Sequence, residues 1–395
     1  MYPIRTFLYL ALPAAFIFFS CTAEKQQNQQ REITTVTDCE TISHENADNC
    51  LRLNHIQVFG THNSYKLYPH SDLIERLNEY VPGWADNINY EHRPLQEQLG
   101  ELKIRQLELD IFADPHGGMY SEPAGALLIA DEEYIRHPAL MEPGFKVLHT
   151  QDVDYRTTCF TLTSCLEVVR DWSLENQSHL PVMILIEAKQ GQPASRGQLT
   201  FTAPLQFDVD LALQIDEEIW SIFSRNHVIT PDDIRGNYET LEMAVLENGW
   251  PTLGESRGKV IFALDNTDAS RENYLSGAPN LEERAMFVSS HPGVPSAAFI
   301  KMNDSVQNFE QIRENAAMGY VIRTRSDIPV YEATTGDTTR LNAALTSGAQ
   351  YISTDYPEPS PFGSGYIAAF PDADTPGRCN PVTAPPGCQH QFMTE

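Results

Sequence analysis

Positive charge is what this sequence has least of: 27 Lys and Arg stand against 54 Asp and Glu in 395 residues, a formal net charge of −27. A surface of that sign repels phosphate backbones, which excludes nucleic acid as a natural partner. It also opposes contact with an anionic membrane unless bound cations or a basic mouth intervene. Long apolar runs are missing as well. The N-terminal run Phe7–Phe19 is too short to span a bilayer. With Arg5 before it and Ser20, Cys21 and Ala23 after it, the run reads as an export signal. Either Cys21 is lipid-modified, which would anchor the chain to the cell envelope, or the chain is cut after Ala23 and released. The Gln-rich stretch Lys25–Arg31 then acts as a flexible tether. There is no internal repeat, and no cysteine spacing of the kind that holds zinc.

What is present points to one large α/β unit. Besides Cys21, six cysteines fall into close pairs: Cys39 with Cys50, Cys159 with Cys165, and Cys379 with Cys388. In an exported chain these spacings predict three local disulfides. From residue 54 onward, short Val-, Ile- and Phe-rich segments alternate with stretches whose apolar residues recur three or four apart, the pattern of βα units around a parallel sheet. Candidate strands are 55–60, 104–111, 145–149, 182–187, 259–264, 297–302, 319–324 and 350–354. This set predicts a (β/α)8 TIM barrel with long inserted loops at 112–144 and 190–258. Within the second insertion, the pattern predicts a helix near 208–225 and a helix start at Thr230-Pro231-Asp232-Asp233.

Barrel chemistry is carried at the carboxyl ends of the strands, and there the apolar segments are interrupted by polar residues. Strand one ends in Gly60-Thr61-His62-Asn63-Ser64-Tyr65, strand two contains Glu108-Leu109-Asp110, the third segment ends at His149, and the fourth runs into Glu187-Ala188-Lys189. Side chains alternate along a strand, so Glu108 and Asp110 share one face and Leu107 and Leu109 take the other. Three ionised carboxylates packed together require a cation. Oxygen ligands from Glu108, Asp110 and Glu187, with Asn63 as a neutral fourth, suit Ca2+ better than Mg2+. The histidines suit proton transfer, and the combination points to metal-assisted phosphoryl transfer. His116 competes with His149 for the second catalytic position, and Arg325 competes with Arg323 as a phosphate clamp alongside Lys189. Asp355 and Tyr356 read as closing the last strand or touching substrate.

The order His-Asn, Glu-x-Asp, His, Glu along the first four segments resembles the catalytic domain of bacterial calcium-dependent phosphatidylinositol-specific phospholipases C, within the PLC-like phosphodiesterase superfamily. GTHNSY, RQLELDIFADPHGG, FKVLHTQD, YVIRTRSD and ISTDYP carry the resemblance, which runs from about residue 52 to about 360. It implies that Asn63, Glu108, Asp110 and Glu187 hold Ca2+, that His149 protonates the leaving glycerol oxygen, and that His62 donates to the phosphoryl oxygens. It leaves open whether Glu108, Glu187 or a histidine is the base. The implied reaction releases diacylglycerol and a cyclic inositol phosphate, and the implied partners are a phospholipid or glycerophosphodiester substrate and peripheral contact with a membrane. The chain then divides into a signal at 1–21, a linker with a cysteine pair at 22–50, the barrel at 51–360 and an extension with a cysteine pair at 361–395.

Three other readings compete. A glycerophosphodiester phosphodiesterase shares the barrel and the Glu-x-Asp pair, but usually begins with His-Arg-Gly and carries its second histidine closer to that pair. A metal-independent phospholipase C replaces the cation with an arginine, and Glu108, Asp110 and Glu187 argue against it. A lipid- or surface-binding lipoprotein with an inactive barrel would tolerate loss of some of these residues.

Overall fold

The computed structural model describes residues 39–80, 82–83, 87–195, 199–247 and 249–395. The expected signal, Cys21, Ala23 and the tether lie outside the described residues. The described residues form eleven strands: β1 Ile56–Thr61, β2 Gln106–Phe112, β3 Lys146–Val147, β4 Val182–Ala188, β5 Val228–Ile229, β6 Val260–Leu264, β7 Met286–Val288, β8 Phe299–Asp304, β9 Val321–Arg325, β10 Tyr351–Thr354 and β11 Gly377–Cys379.

Eight of these are parallel and run in the order β1-β2-β4-β6-β7-β8-β9-β10, with β10 pairing back on β1. The ring is thin at two places. β7 and β8 are joined by a single bridge, Ser289 to Phe299. β1 meets β2 only at Gly60 and Gln106. Strands of this ring are covered on both sides, and the sequence reflects that: Val182–Ile186 are fully buried, as parallel strands with helices outside and side chains inside must be. Where β1 and β2 splay, β11 pairs antiparallel with Ile56–Val58 from the C-terminal region.

The expected segment 145–149 is not a barrel strand. Only Lys146–Val147 is extended, and it pairs antiparallel with Ile111 and Phe112 at the end of β2. The place in the ring belongs instead to β7, Met286–Phe287–Val288. Three residues are too few to show alternation, while Phe145 and Val147 are apolar because they are buried in the main core beside the end of β2. The helix expected near 208–225 spans Val209–Ile222. Thr230 starts the helix Pro231–Arg235 with a reciprocal cap from Asp233.

All three local disulfides are formed, Cys39–Cys50, Cys159–Cys165 and Cys379–Cys388, as befits an oxidising compartment. Among the described residues, no helix is long and apolar enough to cross a membrane.

Candidate active site

The turn after β1 is built by its small polar residues. Thr61 Oγ1 donates to Gln98 Oε1 at 2.7 Å and lies 2.6 Å from Ser64 Oγ. Ser64 Oγ in turn accepts the Glu108 N–H at 2.8 Å, and Gln98 Nε2 donates to Ser64 O at 2.6 Å. Gly60 is required because a Cβ there would stand 2.1 Å from Gln106 Oε1. The turn throws Asn63 into the left-handed region, with φ of 50°, which asparagine tolerates better than most residues. Its Nδ2 donates to Tyr90 Oη at 2.7 Å. Its Oδ1 is buried and has no hydrogen-bond partner among the described residues.

Glu108 and Asp110 point inward from β2, and Glu187 does so from β4, where it stands in register with Asp110. One oxygen from each carboxylate lies within 4.8 Å of the others. Asp110 is fully buried, yet neither of its oxygens accepts a hydrogen bond among the described residues. Lys189 Nζ lies 3.1 Å from Asp110 Oδ2 and 3.4 Å from Glu187 Oε2, close enough to offset charge without the alignment of a hydrogen bond to Asp110. Burial raises the Glu108 pKa to about 7 against the opposing pull of Arg323, with Asp265 and Glu187 adding to the rise. Burial likewise pushes Asp110 well above the usual carboxylate range, opposed by Lys189 and assisted by Glu187 and Glu108. Orphaned buried oxygens on Asn63 and Asp110, beside two more carboxylates, fit an oxygen-ligated divalent cation.

Two histidines stand by this cluster, each with Nδ1 on a carboxylate. His62 Nδ1 is 2.8 Å from Asp355 Oδ1, and its Nε2 is 3.3 Å from Arg325 Nη1 and 3.8 Å from Glu108 Oε1. The His62 pKa falls well below the usual value, first through burial and then through Arg325 and Arg323, so its ring is neutral. His149 Nδ1 is 2.7 Å from Asp154 Oδ2, and Asp154 Oδ1 is 3.3 Å from the buried Lys66 ammonium. Burial alone would raise Asp154, but Lys66 and His149 outweigh it and hold the carboxyl low. His116 is exposed and has no hydrogen bond from its ring among the described residues.

The arginines divide differently from expectation. Arg323 is 1% exposed and its guanidinium is fully engaged, by Glu108, by Asn303 Oδ1 at 2.6 Å and by Ser353 Oγ at 2.9 Å. Arg325 lies beside His62 and donates to Asp355 Oδ2 at 2.8 Å, and its Nε has no partner among the described residues. Sequence reasoning passed over Lys66, Tyr90 and Asp154, and it weighed Asp355 without connecting it to His62. Asp154 stands inside HTQDVDY, five residues after His149, where an acid near a candidate histidine was a usable signal; Asp355, in ISTDYP, had no such signal, because His62 lies 293 positions away. Lys66 had none, since its partners lie at Ile88, Tyr90 and Asp154.

A family model described as Ca2+-dependent phosphoinositide phospholipase C matches residues 51–381. No curated protein matches the sequence. Among solved structures, a calcium-dependent phosphoinositol-specific phospholipase C from Pseudomonas sp. is similar at 16% identity, over 78% of this chain and 92% of that one, with a TM-score of 0.49. A Ca2+-dependent phosphatidylinositol-specific enzyme from Streptomyces antibioticus is similar at 15%, over 78% and 95%, with a TM-score of 0.48. The phosphatidylinositol-specific phospholipase C of Listeria monocytogenes is similar at 12%, over 80% and 93%, with a TM-score of 0.43.

Proposed function

This chain belongs to the Ca2+-dependent phosphoinositide phospholipase C family, and we propose that it cleaves the glycerol–phosphate bond of phosphatidylinositol by attack of an inositol hydroxyl. The observation that carries the reading is the pair of carboxylate-anchored histidines beside a carboxylate cluster in which both buried oxygens of Asp110 lack a hydrogen-bond partner among the described residues. Asn63, Glu108, Asp110 and Glu187 are the residues that would hold Ca2+. The bound ion supplies positive charge for the phosphoryl oxygens and acidifies the attacking hydroxyl.

His62 carries its proton on Nδ1, toward Asp355, and offers the Nε2 lone pair. That favours proton acceptance from the attacking hydroxyl over the donor role the resemblance implied. His149, oriented and electrostatically supported by Asp154, gives a proton to the leaving glycerol oxygen. One P–O bond forms to the ring and one breaks to glycerol, so diacylglycerol leaves and a cyclic inositol phosphate remains. Arg325, whose Nε has no partner among the described residues, replaces Arg323 as the phosphate clamp in this reading, and Lys189 keeps its place beside the carboxylates. Arg323 then orients Glu108. We also take the chain to be exported, with 1–21 as signal and Cys21 or the cut after Ala23 deciding between envelope anchoring and release.

Phosphorus NMR of the products tests the reaction. With Ca2+, phosphatidylinositol should yield a cyclic inositol phosphate, and chelator should stop the reaction. No calcium-dependent cleavage would end the enzyme reading, and a preference for glycerophosphocholine would move it to the glycerophosphodiester class.

A further inference from the structure

The carboxyl ends of the strands hold the chemistry above, and the amino ends hold a cavity that this chemistry does not use. It measures about 540 Å³ and is lined by β5, by Lys259 just ahead of β6, by 249–251 and by Arg52. That volume is in the range of small-molecule sites. In a chain with 27 Lys and Arg against 54 Asp and Glu, three basic side chains, Arg52, Arg225 and Lys259, line this one cavity against two acids, Asp233 and Glu255.

Both acids are already engaged. Asp233 takes the Arg225 guanidinium on its two oxygens, at 2.9 and 3.0 Å, and accepts the Thr230 N–H at 2.8 Å. Glu255 Oε2 accepts the Thr252 N–H at 2.8 Å and the Thr252 hydroxyl at 2.9 Å. Its carboxyl is held low first by that N–H, against burial, with Arg52 and Lys259 as lesser causes. Arg52 and Lys259 are left over. Arg52 gives Nη1 to Trp250 O, while its Nε and Nη2 and the Lys259 ammonium have no hydrogen bond or ion pair among the described residues. The lining also includes Val228, Ile229 and Ile234, all buried. Trp250 offers no ring face, since it is fully buried and its N–H is donated to Gly319 O at 2.9 Å.

Two unpaired cations, one of them a planar fork, match the oxygens of a phosphate monoester, which carries close to two negative charges at neutral pH. A carboxylate would leave one cation unmatched. With no aromatic face for a base to stack on, a nucleotide gains nothing over a simple polyol ester, whose carbon skeleton meets Val228, Ile229 and Ile234. The overall charge of −27 does not oppose this, because at physiological salt exposed charges beyond about 8 Å are largely screened. We propose that the cavity at the amino ends of β5 and β6 is a binding site for a phosphate monoester of a small polyol, with Arg52 and Lys259 on the phosphate. The site is independent of the catalytic reading: none of its residues belongs to the carboxylate cluster or touches the two histidines. Its ligand joins Arg52, ahead of β1, to Lys259, ahead of β6, and so stabilises the folded chain.

Calorimetric titration of the full chain in chelator, which leaves the carboxylate cluster without its ion, tests this with glycerol phosphate, inositol phosphate and inorganic phosphate. The two esters should bind about 3-fold or more tightly than inorganic phosphate, through the apolar lining. Lys259→Ala should weaken ester binding about 10-fold, and Arg52→Gln at least as much. The Lys259 ammonium holds nothing else in place, so its loss leaves the fold intact even if Arg52→Gln does not. Glu255→Gln removes a neighbouring negative charge and keeps the cap on Thr252, and it should tighten binding about 3-fold, an effect of opposite sign that a merely structural role would not produce. No ester binding in chelator, equal affinity for inorganic phosphate, or ester binding that Lys259→Ala and Glu255→Gln leave unchanged would each overturn the proposal.

Discussion

His62 and His149 are held by the same device, a carboxylate on Nδ1, but on different foundations. His62 follows β1 directly, its partner Asp355 follows β10, and Arg325 ends β9, so three adjacent barrel strands set the group. Ladder hydrogen bonds and register do the positioning. His149 sits on a strap after β3, and its partner Asp154 is only five residues on. At His149 the strap has only a local antiparallel bridge, Thr150 to Asp154, with the His149 N–H donating to Asp154 O at 3.3 Å, and no pairing to the barrel strands among the described residues. An ion pair with the buried Lys66 and the Cys159–Cys165 disulfide add to it. A side chain on a strand inherits its position from the fold, whereas one on a loop requires dedicated interactions, and those link its function to local stability.

The comparison can be sharpened first at the histidines themselves. His62→Ala and His149→Ala should each lower kcat by about 10²- to 10⁴-fold and leave calcium affinity unchanged. A substrate with a nitrophenolate leaving group needs no proton at the leaving oxygen, so it should rescue His149→Ala and not His62→Ala. Rescue of His62→Ala would reverse the two roles.

The carboxylates come next. Asp154→Asn leaves the Lys66 ammonium buried among the carbonyls of Leu67, Ile88 and Tyr90, and should cost roughly 3–5 kcal/mol in urea unfolding. Asp355→Asn leaves Arg325 with Asp327 at 3.9 Å and should cost less, roughly 1–3 kcal/mol, while still lowering kcat steeply. Equal losses of stability would break the contrast between strand and strap.

A third test uses pH, and it separates the carboxylate cluster from both histidines. Glu108 is raised in the folded chain to about 7 from 4.5, so without Ca2+ its contribution to stability is full below the unfolded value and is lost as pH rises through the folded one. Asp110 moves in the same direction. Bound Ca2+ favours the ionised forms and reverses that loss. The calcium-induced rise in Tm should therefore be several degrees larger at about pH 7.5 than at about pH 5, by scanning calorimetry. A rise independent of pH would place the ion elsewhere.

The smallest effect is expected from the strap's disulfide. Replacing Cys159 and Cys165 by Ser opens a short loop and should cost about 2 kcal/mol. The loss of activity should match that of a loosened His149, including rescue by the nitrophenolate substrate.

The strand ends were the legible part of this protein. Strong alternation in β2 predicted that Glu108 and Asp110 share a face, and both point inward; apolar runs located β1, β4, β6, β8, β9 and β10. The segment 145–149 misled because Phe145 and Val147 are buried in the main core beside the end of β2, and β7 was silent because three residues carry no period. The choice between Arg323 and Arg325 was equally silent. Two residues of the same parity on one strand differ only in what the facing walls offer them: Glu108, Asn303 and Ser353 deeper in the barrel, Asp355 and His62 at its rim.

The sequence by itself determined the class of fold, the polar residues at the strand ends and the local cysteine pairs, because each is written in neighbouring residues through period, spacing and type. Only the tertiary structure decided which groups those residues meet. Asp355 reaches His62 across 293 positions, and Lys66 reaches Asp154 from another loop. Such partnerships come from the closing of the ring and from the requirement that buried charges find a counter-charge, and neither condition leaves a mark on adjacent residues.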